Sequence, residues 1–391
     1  MILPMLLLAA ALPEMTRINE TNVAGRTAIR YEHTSLAEWQ YPRPQRDYFY
    51  VVPPKNPGTG PAPLQVFLHS AGGGGESEMH QSLKIPHNPL ECAATSYGLY
   101  LDCRQNQATD WWWGYHALEK AGARFKSKLG PTEKRVLATV EWVCQNFPID
   151  RNRLQLVGVS MGGSGSLGIG LNHGDIFAAI VVLVPAGVGH AQWRLNSPGQ
   201  ADPPPVLNCS SQTDAWAAGQ EKFIAESRAR RYPFIFAWGP YGHGGRFAEY
   251  HPAAVEFPWR SIRKNVAYPV FTGATTDQTY PGLQNTTAPD QTGQINALFR
   301  WKTITDTLGL FAMELRLVRQ NELSRPVELP ALAVADVTIR RAQQFRMTHG
   351  RTYRWQSGEQ SGRVQIGADG LLTLPRVSIT ATGAVLKIET E

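Results

Sequence analysis

The chain is short of cysteine, of charge and of long apolar runs. Four cysteines, Cys92, Cys103, Cys144 and Cys209, stand in 391 residues, and no two are spaced as C-x-x-C. That removes the common zinc patterns, and no metal site is expected. Four thiols allow three complete pairings, among which the sequence does not choose. Simple burial suits Cys144, on the apolar side of a predicted helix, and Cys209, in a predicted strand. Cys92 and Cys103 are near enough in sequence to pair in an oxidising compartment. Charged residues make up only 18% of the chain, which excludes a coiled coil. With 42% hydrophobic and 10% aromatic residues, the composition is globular and excludes disorder. The net charge of +6 permits weak attraction to acidic polymers. The basic residues are scattered, however. The densest groups, 228–231 and 260–264, lack the interleaved aromatics of a nucleic-acid face, so no nucleic-acid partner is expected.

The one lipid-like run is at the start. Residues 1–13 read as the apolar core of an export leader, without the usual basic residue before it. The run is too short for a permanent anchor, so no integral membrane span is expected. Two readings of 1–20 stay open. A signal peptide would make the protein secreted or periplasmic. An apolar arm packed on the fold is the other.

From residue 64 to about 250, strand and helix patterns alternate. Leu64–His69, Gly98–Asp102, Arg153–Gly158, Phe177–Val184, Val206–Cys209 and Phe234–Trp238 read as buried strands. Helices are predicted over Thr132–Phe147, Ser160–Leu171 and Asp214–Arg230. This alternation predicts an α/β domain, a mostly parallel sheet with helices on both faces. After residue 262 the texture turns to short β-like segments divided by turns, which predicts an all-β, sandwich-like domain. Thr275–Gly293, rich in Thr, Gln, Asp and Pro, reads as a linker. The expected organisation is therefore 1–20, then an α/β catalytic domain at 21–262, then a β-rich domain at 263–391.

The strongest chemical signal is Gly158-Val159-Ser160-Met161-Gly162. It follows an apolar strand and opens a helix, as a nucleophile elbow requires. The glycines are needed sterically, because side chains there would strike the neighbouring strand and helix. A serine hydroxyl also needs a base. His243 fits, because it directly follows the strand Phe234–Trp238 in a glycine loop. His251 is its closest rival and does not sit at a strand end. Asp214 fits the orienting acid, a short loop after Val206–Cys209, whereas Asp202 precedes that strand. The order Ser160, Asp214, His243 is the order such an elbow predicts. Two backbone N–H donors are needed for an oxyanion. Met161 supplies one, and Ala71 is chosen for the other, with Ser70 and Gly72, beside it on the substrate side, as alternative donors. His69 braces that loop. Trp111, Trp112 and Trp113 cannot all face one core. They either line the substrate pocket or pack as a loop over the sheet edge. Gly187–Pro205, with Trp193, is read as a partial lid.

From about 45 to 250 these pieces resemble the α/β-hydrolases of the secreted esterase type, a group that includes feruloyl and acetylxylan esterases and polyhydroxybutyrate depolymerase-like enzymes. The resemblance is carried by 68–73, by Tyr97–Asp102, by the passage from Phe147 to Gly163, by Asp214 and by Gly242, His243 and Gly244. The group usually has His-Gly in the oxyanion loop, where this chain has His69-Ser70. The resemblance implies a serine carboxylic ester hydrolase that forms an acyl-enzyme, needs no cofactor and acts on carbohydrate-linked or aromatic esters. The substrate would be small or polymer-linked. One alternative is a serine peptidase of the prolyl oligopeptidase type, but the chain has no room for that family's propeller. The other is a polymer- or glycan-binding protein with an inactive hydrolase domain. The β-rich region is read either as a polysaccharide contact or as a domain that packs on the hydrolase.

Overall fold

The computed structural model describes residues 12–85, 90–104, 111–112, 129–188, 191–195, 202–281 and 291–391. The leader expected at the start therefore lies largely outside the described residues. In chain order the first strands are β1 (Thr16–Val23), β2 (Arg26–Thr34), β3 (Arg46–Val52), β4 (Ala62–Leu68), β5 (Tyr97–Leu101), β6 (Ile149–Val159), β7 (Ala179–Leu183), β8 (Val206–Ser210) and β9 (Phe234–Trp238). There follow β10 (Tyr268–Thr272), β11 (Gly293–Ile295), β12 (Phe299–Asp306), β13 (Leu310–Leu317), β14 (Leu332–Arg340), β15 (Thr352–Ser357), β16 (Gln360–Gln365), β17 (Leu372–Thr380) and β18 (Ala384–Thr390). Helices α1 (Gly75–Ser82), α2 (Pro131–Asn146), α3 (Met161–Gly170), α4 (Ala191–Leu195) and α5 (Gln220–Ala229) lie between strands of the first group.

Ten strands form one sheet in the order β1-β2-β3-β5-β4-β6-β7-β8-β9-β11. The six from β5 to β9 run parallel. Their sequences are unbroken apolar runs because both faces are covered, and every residue of β4 is buried. By contrast, β1 exposes all but its last residue and borders solvent as an antiparallel edge. Strand order reverses around β4, which has β5 on one side and β6 on the other. Such a reversal opens a crevice at the carboxyl ends of the strands. Ser160, Asp214, His243, His69 and Trp111 all follow strands at that edge.

Helices cover one face as expected. Val136, Val140 and Val143 of α2 pack with Val66, Leu99 and Leu156. Phe223 and Ile224 of α5 pack with Val206, Phe234 and Phe236. The other face carries shorter helices, α1 and the single turns Phe247–Tyr250 and Pro252–Val255. Here α1 contributes Met79 as its only deeply buried apolar side chain. The closure comes from 247–262 and the C-terminal sheets instead. Val181, Leu207 and Ile235 belong to one continuous core with Phe257, Phe299, Phe311 and Leu386.

Among its described residues the C-terminal region is all β apart from a single 3-10 turn at Gln320–Glu322. It forms two antiparallel sheets, β10-β14-β17 and β12-β13-β18-β15-β16. The boundary expected at 262 is not clean. After β10 joins the smaller sheet, β11 returns to pair antiparallel with β9. An apolar strand left at a sheet edge presents unpaired N–H and C=O groups, and β11 covers them. The boundary at 20 likewise cuts β1. Polar ties cross the junction. Tyr268 donates its hydroxyl to the Pro203 carbonyl at 2.7 Å, and Arg300 donates to that of Ala253 at 2.8 Å. No aromatic side chain of this region is fully exposed among the described residues. Trp301 and Tyr280 are partly exposed. All four cysteines are free thiols, Cys92 and Cys103 included.

Candidate active site

Ser160 ends β6 and opens α3 with φ 54° and ψ −119°. Such a conformation costs a non-glycine residue about 1–3 kcal/mol. Its backbone is held from three sides. Ser160 N–H donates to Leu183 O at 3.1 Å, and Ser160 O accepts from Ser164 at 2.9 Å and Ala186 at 2.8 Å. The flanking glycines are obligatory. A Cβ at Gly158 would stand 2.2 Å from Gly162 O, and one at Gly162 would stand 1.8 Å from Leu68 O.

His243 bridges two groups. Its Nδ1 lies 2.7 Å from Asp214 Oδ2 and its Nε2 lies 2.8 Å from Ser160 Oγ. An ionised carboxylate only accepts, so Nδ1 carries the proton and Nε2 is left to accept from the serine hydroxyl. Gly242, at φ 54°, turns the loop that presents the ring. The Asp214 side chain is buried and that of His243 is partly exposed. Asp214 Oδ1 also accepts the Trp216 N–H at 3.0 Å. The helix expected from Asp214 starts only at Gln220. Residues 211–219 are turns instead, because the Asp214 carboxylate bonds backbone two residues on and Gly219 sits at φ 88°. The two competitors lie elsewhere. Asp202 receives Arg340 Nε at 2.9 Å. His251 is buried edge-on to Tyr241, and burial lowers its pKa to about 4.

Met161 is the first residue of α3, where a helix leaves its N–H groups without internal partners. The facing loop from Ser70 to Gly75 is pinned at both ends to the end of β5. At one end, His69 Nε2 accepts the Cys103 N–H at 3.0 Å, while Nδ1 donates to Ser70 O at 2.8 Å. Both nitrogens are thus used by a neutral ring. Burial pushes the pKa of His69 down, which keeps that form. At the other end, Asp102 Oδ2 accepts the Gly75 N–H at 3.1 Å and the Tyr48 hydroxyl at 2.8 Å. Burial works against ionisation of Asp102, but hydrogen bonds from Arg104 N–H, Tyr48 and Gly75 outweigh it and hold the carboxyl below its ordinary value. Ala71 and Gly72 are exposed, with Gly72 at φ 76°. Ser70 was expected on the substrate side, but its hydroxyl donates to Val159 O at 3.0 Å and ties the loop to β6.

The tryptophans part company. Trp112 was expected to bind substrate, yet it is fully buried. Its indole N–H donates to His69 O at 3.1 Å, so it supports the loop from below. Trp111 is partly exposed and meets Trp216 edge to face at 5.4 Å. Trp113 lies outside the described residues, as does the side chain of Trp193. Of the expected lid, α4 is described, and its Arg194 is buried against Glu133 at 2.7 Å, which marks packed scaffold. Trp216 was missed in the sequence. It is 40% exposed, and its only signal is a position two residues after Asp214.

Among the described residues no cluster of metal-ligating side chains occurs, and no helix is long and apolar enough to cross a membrane. The family described as "Putative esterase" matches residues 138–273, the stretch that holds Ser160, Asp214 and His243. No curated relative matches the chain. Three solved structures show how distant the structural likeness is. An acetyl xylan esterase from Paenibacillus sp. R4 is 14% identical, with a TM-score of 0.43, over 60% of this chain and 85% of that one. An S-formylglutathione hydrolase from Agrobacterium tumefaciens is 14% identical, with a TM-score of 0.42, over 57% and 90%. A Staphylococcus aureus S-formylglutathione hydrolase is 15% identical, with a TM-score of 0.40, over 60% and 92%. The architecture is an α/β-hydrolase with a β-rich C-terminal region. With the matched region it defines a carboxylesterase-type serine hydrolase.

Proposed function

We propose that the protein cleaves carboxylic esters through an acyl-enzyme on Ser160, with His243 as base and acid and Asp214 as its orienting partner. The observation that carries this reading is the His243 ring, 2.8 Å from Ser160 Oγ and 2.7 Å from Asp214 Oδ2. Ser160 Oγ attacks the carbonyl carbon as its proton passes to His243 Nε2. The Asp214 carboxylate stabilises the imidazolium. The tetrahedral oxyanion faces the N–H groups of Met161 and Ala71. When it collapses, the C–O bond to the leaving alcohol breaks and His243 protonates that oxygen. Water, deprotonated by His243, then releases the acid and restores Ser160.

The substrate class we propose is an ester with a flat ring in its acyl or alcohol part, carbohydrate-linked or aromatic. The Trp111–Trp216 pair beside the acid loop supports this, because such faces stack on sugars and phenyl rings. The test is hydrolysis of p-nitrophenyl acetate to octanoate and of benzoate and cinnamate esters, by wild type and by Ser160→Ala. A burst that vanishes in Ser160→Ala is expected; equal rates in both proteins refute the mechanism. Trp216→Ala should lower kcat/KM about tenfold for ring-bearing esters and leave ring-free ethyl acetate nearly unchanged, in line with about 0.5–1.5 kcal/mol per aromatic contact.

A further inference from the structure

Residues 291–295 meet the loop that carries the acid and the strand that leads into the loop of the base. Gln212 is 2% exposed and stands two residues before Asp214. Its Oε1 accepts the backbone N–H of Gln291 at 3.0 Å. Two residues further on, Gly293 pairs with Trp238, the last residue of β9, and His243 follows Trp238 by five positions. A Cβ at Gly293 would come within 2.2 Å of the Trp238 ring, so β11 rests directly on that indole.

The run is itself anchored. Gln294 Nε2 donates to Thr276 O at 2.7 Å. Asn296 Nδ2 donates to Phe234 O at 3.1 Å and to Phe271 O at 3.2 Å. Asp277 accepts the Asn296 N–H at 3.0 Å and Arg228 at 2.9 Å. The segment expected to be a mere linker therefore ends as a brace, fixed to β9, β10 and α5.

We propose that this run, acting through Gln212 and Trp238, is a positioning element that sets the Asp214–His243 geometry. The proposal rests on the catalytic roles given above. The acid loop is built of turns, so its shape depends on what abuts it. Gln212 is the buried side chain through which the returning chain reaches it. Catalysis is sensitive to such placement, since misplacement by about 1 Å costs about a hundredfold in rate.

The test uses the full chain. Gln212→Ala should lower kcat about tenfold and change KM by less than about twofold. It should also move the acid limb of the kcat/KM profile to lower pH, because the imidazolium loses part of its carboxylate partner. In an Asp214→Asn background the same substitution should cost less than about twofold, because the geometry it protects no longer matters. Gln291→Pro deletes the donated N–H, leaves Gln212 in place and lies at an exposed position. It should reproduce the pattern, and it carries the test if Gln212→Ala does not fold. Equal losses in both backgrounds, or an unmoved pH profile, overturn the positioning role alone. An Asp214→Asn protein with wild-type kcat overturns the catalytic assignment and the proposal with it.

Discussion

A Cβ placed on Gly165 would lie 2.6 Å from Trp112 Cβ, so the third glycine of α3 exists in order to seat that indole. The indole in turn holds the His69 carbonyl. Gly165→Ala should therefore act at a distance from its own site. We expect a stability loss of about 1–3 kcal/mol from overpacking. We also expect a fall in kcat larger than that of Trp112→Phe, which keeps the volume and loses only the N–H donor. Urea unfolding and p-nitrophenyl ester kinetics on both variants check this.

Asp102 links the far end of the loop from Ser70 to Gly75 to the end of β5. Its folded pKa is depressed, so it stabilises the fold above its unfolded value, and this contribution is lost as pH falls through the folded value. Asp102→Asn removes the charge. It should lower stability at pH 7 and have much less effect near pH 3. Denaturation of both proteins at the two pH values measures the difference.

Buried histidines predict a wider acid sensitivity. Burial lowers His33 and His251 from 6.5 to about 4. Between those values the unfolded chain binds protons that the folded one refuses, so stability is full above about pH 6.5 and falls toward pH 4. Glu78 works the other way. Burial raises it to about 7, so its term favours the fold as pH drops from 7 to 4.5. Among these three groups the two histidines outweigh the one carboxyl, so their combined contribution falls between pH 7 and 4.5. Unfolding free energies at both pH values should show it, and His33→Leu should flatten the slope. A His33→Leu slope as steep as that of the wild type would refute the role of His33.

Ending the chain after Ile262 should yield insoluble protein. The cut bares Val181, Leu207, Ile235 and Phe257 on one face of the sheet and unpairs the β9 edge. A soluble fragment that retains ester hydrolysis would contradict the shared core.

Much of this was legible in the residues. The elbow could be read because sterics demand glycine at 158 and 162 and an apolar strand before them. The helix predicted at Thr132–Phe147 runs Pro131–Asn146, since its apolar period is unbroken and Pro148 stops it. The short β-like segments expected after residue 262 appear as β12 to β18. What escaped depends on partners far away in the chain. Three tryptophans in a row do not say which ring turns inward, because that is decided by a missing Cβ at Gly165. Trp216 sits among alanines that give no sign of it. The short strand β11, Gly-Gln-Ile, has no alternation to read and forms only because β9 offers an edge. The helix expected at Asp214 fails for a local reason, since the carboxylate competes for the backbone that a helix would use.

The placement of β11 also has a temporal side. The sheet that bears Ser160 is not complete until Ile295 has been synthesised, well after Ser160, Asp214 and His243. Until then the β9 edge is open and apolar on a growing chain, the condition under which strands mispair or aggregate. On the growing chain the last strand of that sheet is therefore supplied by a segment that carries none of Ser160, Asp214 and His243.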